Sequence, residues 1–150
     1  MRPHFPMEFF LRQLSSFTVG EAARIYLSLP GNAIDEFAAL SGDVAPLHMD
    51  AGFARQAGFS DRVVHGAHLV ALISRLLGTV LPGDSGLLER IDIAFRAPCY
   101  APCDLIVEAR VRQVSDAVSS IVLDISVTKS DGDTIATGKT WHRIFAMEEK

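Results

Sequence analysis

The second half of the chain constrains the fold most, because after Gly86 it breaks into four strand-like runs in succession. Leu87 to Ala97, Asp104 to Val114, Ser119 to Lys129 and Asp133 to Phe145 each span about eleven residues. In the third, Ile121, Leu123, Ile125 and Val127 alternate with Val122, Asp124, Ser126 and Thr128, the period-two pattern of a strand with one buried face. Asp131-Gly132 between the last two runs is a hairpin signal. Pro98 and Pro102 mark a turn between the first two. Ahead of the strands, His65 to Gly78 carries apolar side chains on nearly every side, which predicts a helix buried all round. Gly78 and then Pro82-Gly83 end it. One buried helix wrapped by a curved antiparallel sheet is the economical packing, so the expected class is α+β, with the last four strands as an antiparallel meander.

The first half is more broken. Residues 1–18 read as an N-terminal arm with two prolines and several aromatics, packed on the surface or on a partner, and Met7 is a second candidate start. Residues 19–150 form the single domain. Ala23 to Leu29 reads as a strand stopped by Pro30-Gly31. Asn32 is placed to cap a short helix, with Asp35 near its positive end and Ile34, Phe37, Ala38 and Leu40 on its apolar face, ending near Ser41-Gly42. Residues 42–62 have no clear period beyond a short helix expected between Asp50 and Ala57. An irregular stretch of that length in so small a domain is expected to be partly helical and functional.

Composition excludes several classes. A chain of 150 residues, 49% hydrophobic and 21% charged, buries a full core without staples. A formal net charge of -4 argues against a nucleic-acid binder. No apolar run approaches the ~20 residues of a membrane span. Phe9-Phe10-Leu11 is preceded by Pro3, His4, Pro6 and Glu8, which is not a signal-peptide pattern. Two cysteines, Cys99 and Cys103, make neither a disulfide framework nor a zinc set, so reduced thiols and a cytoplasmic location are expected.

The chemistry concentrates between Phe37 and Gly66. Asp43 and His48 stand five apart in a loop interrupted by Pro46, and a carboxylate and an imidazole converging there hold a water for acid/base work near neutral pH. Gly66 opens the long helix, where free backbone N–H groups and the helix dipole favour an oxyanion, and glycine lets a ligand approach the backbone. The same residues also fit a turn-capping aspartate and a loop histidine. A metal reading would combine His65 and His68 with His48, Asp50 and Asp61, but that matches no standard zinc spacing.

The stretch Phe37-Ala38-Ala39-Leu40-Ser41-Gly42-Asp43-Val44-Ala45-Pro46-Leu47-His48, with Val63-Val64-His65-Gly66 after it, resembles the MaoC-like (R)-specific enoyl-CoA hydratase family of the hotdog fold. The family pattern is approximately Phe/Tyr-x-x-Leu-Ser-Gly-Asp-x-Asn-Pro-Leu/Ile-His, followed by Val-His-Gly at the start of the central helix. The likeness runs from about Thr18 to Phe145 and includes Leu81-Pro82-Gly83.

The resemblance implies that Asp43 and His48 are the catalytic pair, that Gly66 supplies an oxyanion-hole amide and that Ser74 helps orient the substrate. The implied reaction is reversible addition of water to a trans-2-enoyl thioester, giving the (R)-3-hydroxyacyl product. It implies no metal or redox cofactor, with coenzyme A or an acyl carrier protein forming part of the substrate, and a homodimer. One position departs from the pattern: Ala45 stands where the family has asparagine, and alanine offers no side-chain hydrogen bond. A hotdog thioesterase and a non-catalytic acyl-thioester-binding subunit are the alternatives. His65 reads as shaping the helix start, His68 as packing, and Trp141 and His142 as sheet residues.

Overall fold

The computed structural model describes residues 10–146, so the candidate start at Met7 and the expected lack of a leader fall outside the described residues. In chain order the elements are β1 (Ala22–Leu29), α1 (Ala33–Ser41), α2 (Pro46–Met49), α3 (Ala51–Gln56), α4 (Gly66–Thr79), β2 (Gly86–Phe95), β3 (Cys103–Ser115), β4 (Ser120–Lys129) and β5 (Thr134–Ile144). Short 3-10 turns lie at Leu14–Ser16 and Gly83–Ser85. The class is α+β, as expected.

All five strands form one antiparallel sheet in the order β1-β3-β4-β5-β2. Only β3, β4 and β5 therefore make a meander. The strand β2 does not pair with β3 but lies at the far edge beside β5, while β1 takes the place beside β3. An alternating pattern specifies which face of a strand is buried, and it leaves the neighbour unspecified. The crossing from β2 to β3 is tied to the entry of α4, where the Val64 N–H donates to the Cys99 carbonyl at 2.8 Å.

The inner face of the sheet presents Val107, Val111, Ile121, Leu123 and Val127 to Leu69, Ile73, Leu76 and Leu77 of α4, all buried in one core. Each such side chain contributes roughly 1.5–3 kcal/mol by leaving water. The helix α4 is not buried all round: Ala67, Ala71, Ser74 and Arg75 are exposed, because the sheet covers one face only. In α1, Ile34 and Ala38 join the core, but Leu40 is 83% exposed and does not belong to the buried face.

Local signals act largely as expected, with one change at Asn32. Gly42 ends α1 in the left-handed region (φ 77°), where a Cβ would be strained. Asn32 precedes α1 without capping it, because its amide donates instead to Glu36 Oε1 at 2.9 Å. Asp35 receives two bonds from the Arg62 guanidinium (2.7 and 3.3 Å), which hold its carboxyl below the usual range and tie α1 to the loop before α4. The end of the arm packs on its own domain. Phe17 is buried under the Arg12 guanidinium, Arg12 pairs with Glu21, and the Arg12 N–H donates to Ser85 Oγ.

Candidate active site

The loop after α1 is built by short-range hydrogen bonds. Ser41 Oγ accepts from the Asp43 N–H at 3.1 Å, and Asp43 Oδ1 accepts from the Ala45 N–H at 3.2 Å. That Asx-type turn turns the chain so that Ala45 is extended (φ -56°, ψ 139°), as the residue before a proline must be. Pro46 then occupies the first turn of α2, where its missing N–H costs nothing. His48 follows on α2. Asp50 closes that turn and caps α3, accepting from the Gly52 and Phe53 N–H groups, so it is a structural carboxylate.

His48 Nδ1 lies 2.6 Å from the Val63 carbonyl. A carbonyl only accepts, so Nδ1 carries the proton in the neutral ring, and the lone pair of a base is left on Nε2. The Asp43 carboxylate and one ring nitrogen each of His48 and His65 lie within 4.8 Å of one another. One water spans such a gap with two hydrogen bonds of about 2.8 Å each.

Gly66 begins α4, and its N–H makes no hydrogen bond among the described residues, as expected for the first turn of a helix. A Cβ there would stand 2.8 Å from Cζ of Phe95, so the Phe95 ring lies over the exposed backbone. His48, Gly66 and Phe95 line a cleft of about 370 Å³ whose other walls are mostly apolar, among them Leu47, Val63 and Leu69. Asp43 is exposed and stands outside the cleft lining, beside His48.

The structure thus brings Asp43, His48 and Gly66 to one place. Ser74 is on the same helix but two turns from Gly66, about 12 Å along the axis, and lines a separate cleft of about 140 Å³ with Leu77, Gly78 and His142. The metal grouping from the sequence does not assemble. Asp50 caps a helix, and Asp61 and His68 lie outside the cluster of Asp43, His48 and His65. His68 stacks on Phe37 with centroids 4.9 Å apart, and burial, with His65 nearby, lowers its pKa. The thiols of Cys99 and Cys103 lie 3.6 Å apart, and burial pushes Cys99 up to about 12.

Sequence reasoning placed His65 only at the helix start. It is 1% exposed, at the centre of the site, and its Nε2 is 2.9 Å from the Asp43 carbonyl. The signal that could have found it was its place next to Gly66 in Val-His-Gly. Phe95, at the end of β2, had no such signal.

Residues 20–132 match the family model of the MaoC like domain. The chain belongs to the MaoC-like family. The (R)-specific enoyl-CoA hydratase of Aeromonas caviae is 31% identical to this MaoC-like chain over 124 residues, covering 83% of this chain and 92% of the relative. The solved structure of the (R)-hydratase from A. caviae involved in PHA biosynthesis superposes with a TM-score of 0.80 at 29% identity, over 87% of this chain and 98% of that one. The unliganded R-hydratase PhaJ1 of Pseudomonas aeruginosa gives 0.80 at 27% identity, over 92% of each chain. The MaoC-like chain therefore has the hotdog fold, its sheet wrapped on α4.

Proposed function

We propose that this MaoC-like protein is a lyase, an (R)-specific enoyl-CoA hydratase that reversibly adds water to a trans-2-enoyl thioester and, in reverse, dehydrates the 3-hydroxyacyl thioester. The observation that carries this reading is the His48 ring. Its Nδ1–H is held by the Val63 carbonyl, which leaves the lone pair on Nε2, and a ring nitrogen of His48 lies within 4.8 Å of the Asp43 carboxylate, at a cleft that also holds the unengaged Gly66 N–H.

In this arrangement Asp43 and His48 hold one water. His48 Nε2 takes a proton as the water oxygen bonds to C3, and the C2–C3 π pair moves toward the thioester. The Gly66 N–H and the positive end of α4 stabilise the enolate oxygen that forms. A proton delivered to C2 from the same pair completes the addition. No electrons leave or enter the substrate, so the chemistry calls for no redox cofactor. Ser74 is assigned a substrate-orienting role further along α4. Coenzyme A or an acyl carrier protein carries the acyl group as part of the substrate.

The assembly that suits this chain is a homodimer. The strand β2 pairs on one side only, with β5, and carries the exposed Leu88, Ile91 and Phe95. An edge strand this long and apolar is one that proteins cover, and sedimentation velocity reads the mass directly. No helix among the described residues is long and apolar enough to cross a membrane, and the reading places the protein in the cytoplasm.

The test is hydration of crotonyl-CoA, followed as loss of the enoyl-thioester absorbance together with a free-thiol assay. Wild type is expected to turn over without releasing thiol. Asp43→Asn and His48→Ala are expected to fall by about 10²–10⁴-fold with folding intact. Thiol release instead would mark a thioesterase. No turnover of this substrate or a longer enoyl-CoA would mark a binding subunit.

A further inference from the structure

We propose that His65 is a positioning residue of this site, holding the Asp43 backbone and the His48 ring in the geometry the reaction needs. The inference rests on the hydratase reading above and names how its two catalytic groups are kept together. His65 touches all three parts of the site. Its Nε2 donates to the Asp43 carbonyl at 2.9 Å, across 22 residues of sequence. Its ring stacks on that of His48, with centroids 3.8 Å apart and planes inclined by 25°. Its own backbone leads directly into Gly66, as the residue that precedes α4.

The tautomer follows from the partner. The Asp43 carbonyl can only accept, so the ring proton is on Nε2, and Nδ1 is left with a lone pair. That Nδ1 is buried and has no hydrogen-bond partner among the described residues. Leaving such an atom unpaired is unfavourable, and a phenylalanine of similar shape would avoid the loss. A histidine kept at this cost is explained by what its other nitrogen does. The ring also packs against Phe37, with centroids 5.0 Å apart and planes inclined by 53°, so two rings, those of His48 and Phe37, bear on it.

Asp43 needs such a hold. It is exposed, sits in a loop, and its nearby bonds are to Ser41 at the end of α1 and to Ala45 of the same loop. His65 supplies a long-range bond that holds Asp43 itself against the start of α4, while the pairing of Leu47 and His48 with Val63 holds the segment that follows. Displacement of a reacting group by about 1 Å can cost 10²-fold in rate.

The test is steady-state hydration of crotonyl-CoA by wild type, His65→Phe and His65→Gln, with thermal unfolding of each. His65→Phe keeps the ring and removes the donor. It is expected to unfold at or above the wild-type temperature while kcat falls about 10- to 100-fold and KM changes little. His65→Gln retains an N–H near the ε position and is expected to recover most of kcat. A role in folding alone would lower the unfolding temperature and kcat together, and a His65→Phe enzyme with wild-type kcat would overturn the proposal. Ring ¹⁵N shifts of wild type give a reading that does not depend on any variant folding: an Nδ1–H tautomer at His65 would also overturn it. Absence of turnover in wild type itself would count against the hydratase reading, whereas the ¹⁵N result stands apart from it.

Discussion

Gly66 shows how much one missing Cβ decides. A methyl group there would meet Phe95 Cζ at 2.8 Å and crowd the amide proposed to hold the enolate oxygen. Gly66→Ala is expected to reduce kcat/KM for crotonyl-CoA by at least tenfold while stability changes little, since the helix preference of alanine offsets the displacement of the Phe95 ring. Gly66→Ala with Phe95→Leu should regain part of the loss, as the ring that blocks the methyl is gone. If the single variant keeps wild-type kcat/KM, the Phe95 ring yields to the methyl group and the close approach to the Gly66 backbone is not needed for the reaction. Ala45 carries the opposite lesson. The Asx-type turn that holds Asp43 uses the Ala45 backbone N–H, which any residue except proline provides, so the turn survives without the family asparagine.

Among the elements, the two short helices show most clearly how the site is held. The helix α2 has four residues and no side-chain cap, and Asp50 is both its last boundary and the N-cap of α3. Removing that carboxylate leaves the Gly52 and Phe53 N–H groups without their acceptor. Asp50→Ala is expected to cost about 1 kcal/mol in urea unfolding and to lower kcat modestly, because His48 lies on α2 next to the cap. A stability unchanged within error would show that water replaces the cap at no cost. The local signals for these helices, Pro46 and Asp50, were plain in the sequence. The pattern of α4 is less informative: apolar residues on nearly every side predict full burial, whereas the sheet covers only the side of Leu69, Ile73 and Leu76. Its open side, with Ala67 and Ala71, lies free, as does the outer edge of β2.

At the scale of the whole molecule, acid stability follows from buried histidines. His142 is 1% exposed on β5, bonded through Nε2 to Thr140 Oγ1 at 2.9 Å, and burial lowers its pKa from 6.5 to about 4. The unfolded chain takes up this proton first as pH falls, so stability is full above pH 6.5 and is lost between 6.5 and about 4. The shift corresponds to about 3 kcal/mol. His68 is lowered in the same direction. Carboxylates held down by arginine, such as Glu21 beside Arg12, add their loss at lower pH, as protons displace the pairing. Urea unfolding at pH 7 and pH 4.5 should therefore show a smaller drop in His142→Phe than in wild type, and equal drops would remove His142 from the account.

By itself the sequence determined the strand faces, the Asp131-Gly132 hairpin, the Gly42 stop and the block that carries Asp43 and His48. Each of these depends on residues close together in the chain, where side-chain period, backbone φ and capping act directly. Tertiary structure alone decided that β2 lies beside β5 at the sheet edge, that α4 keeps one face open, and that His65 closes on Asp43 across 22 residues. Those depend on which surfaces meet after the chain has folded back on itself. Local period says which side of an element is apolar, and packing of the complete core selects what that side faces.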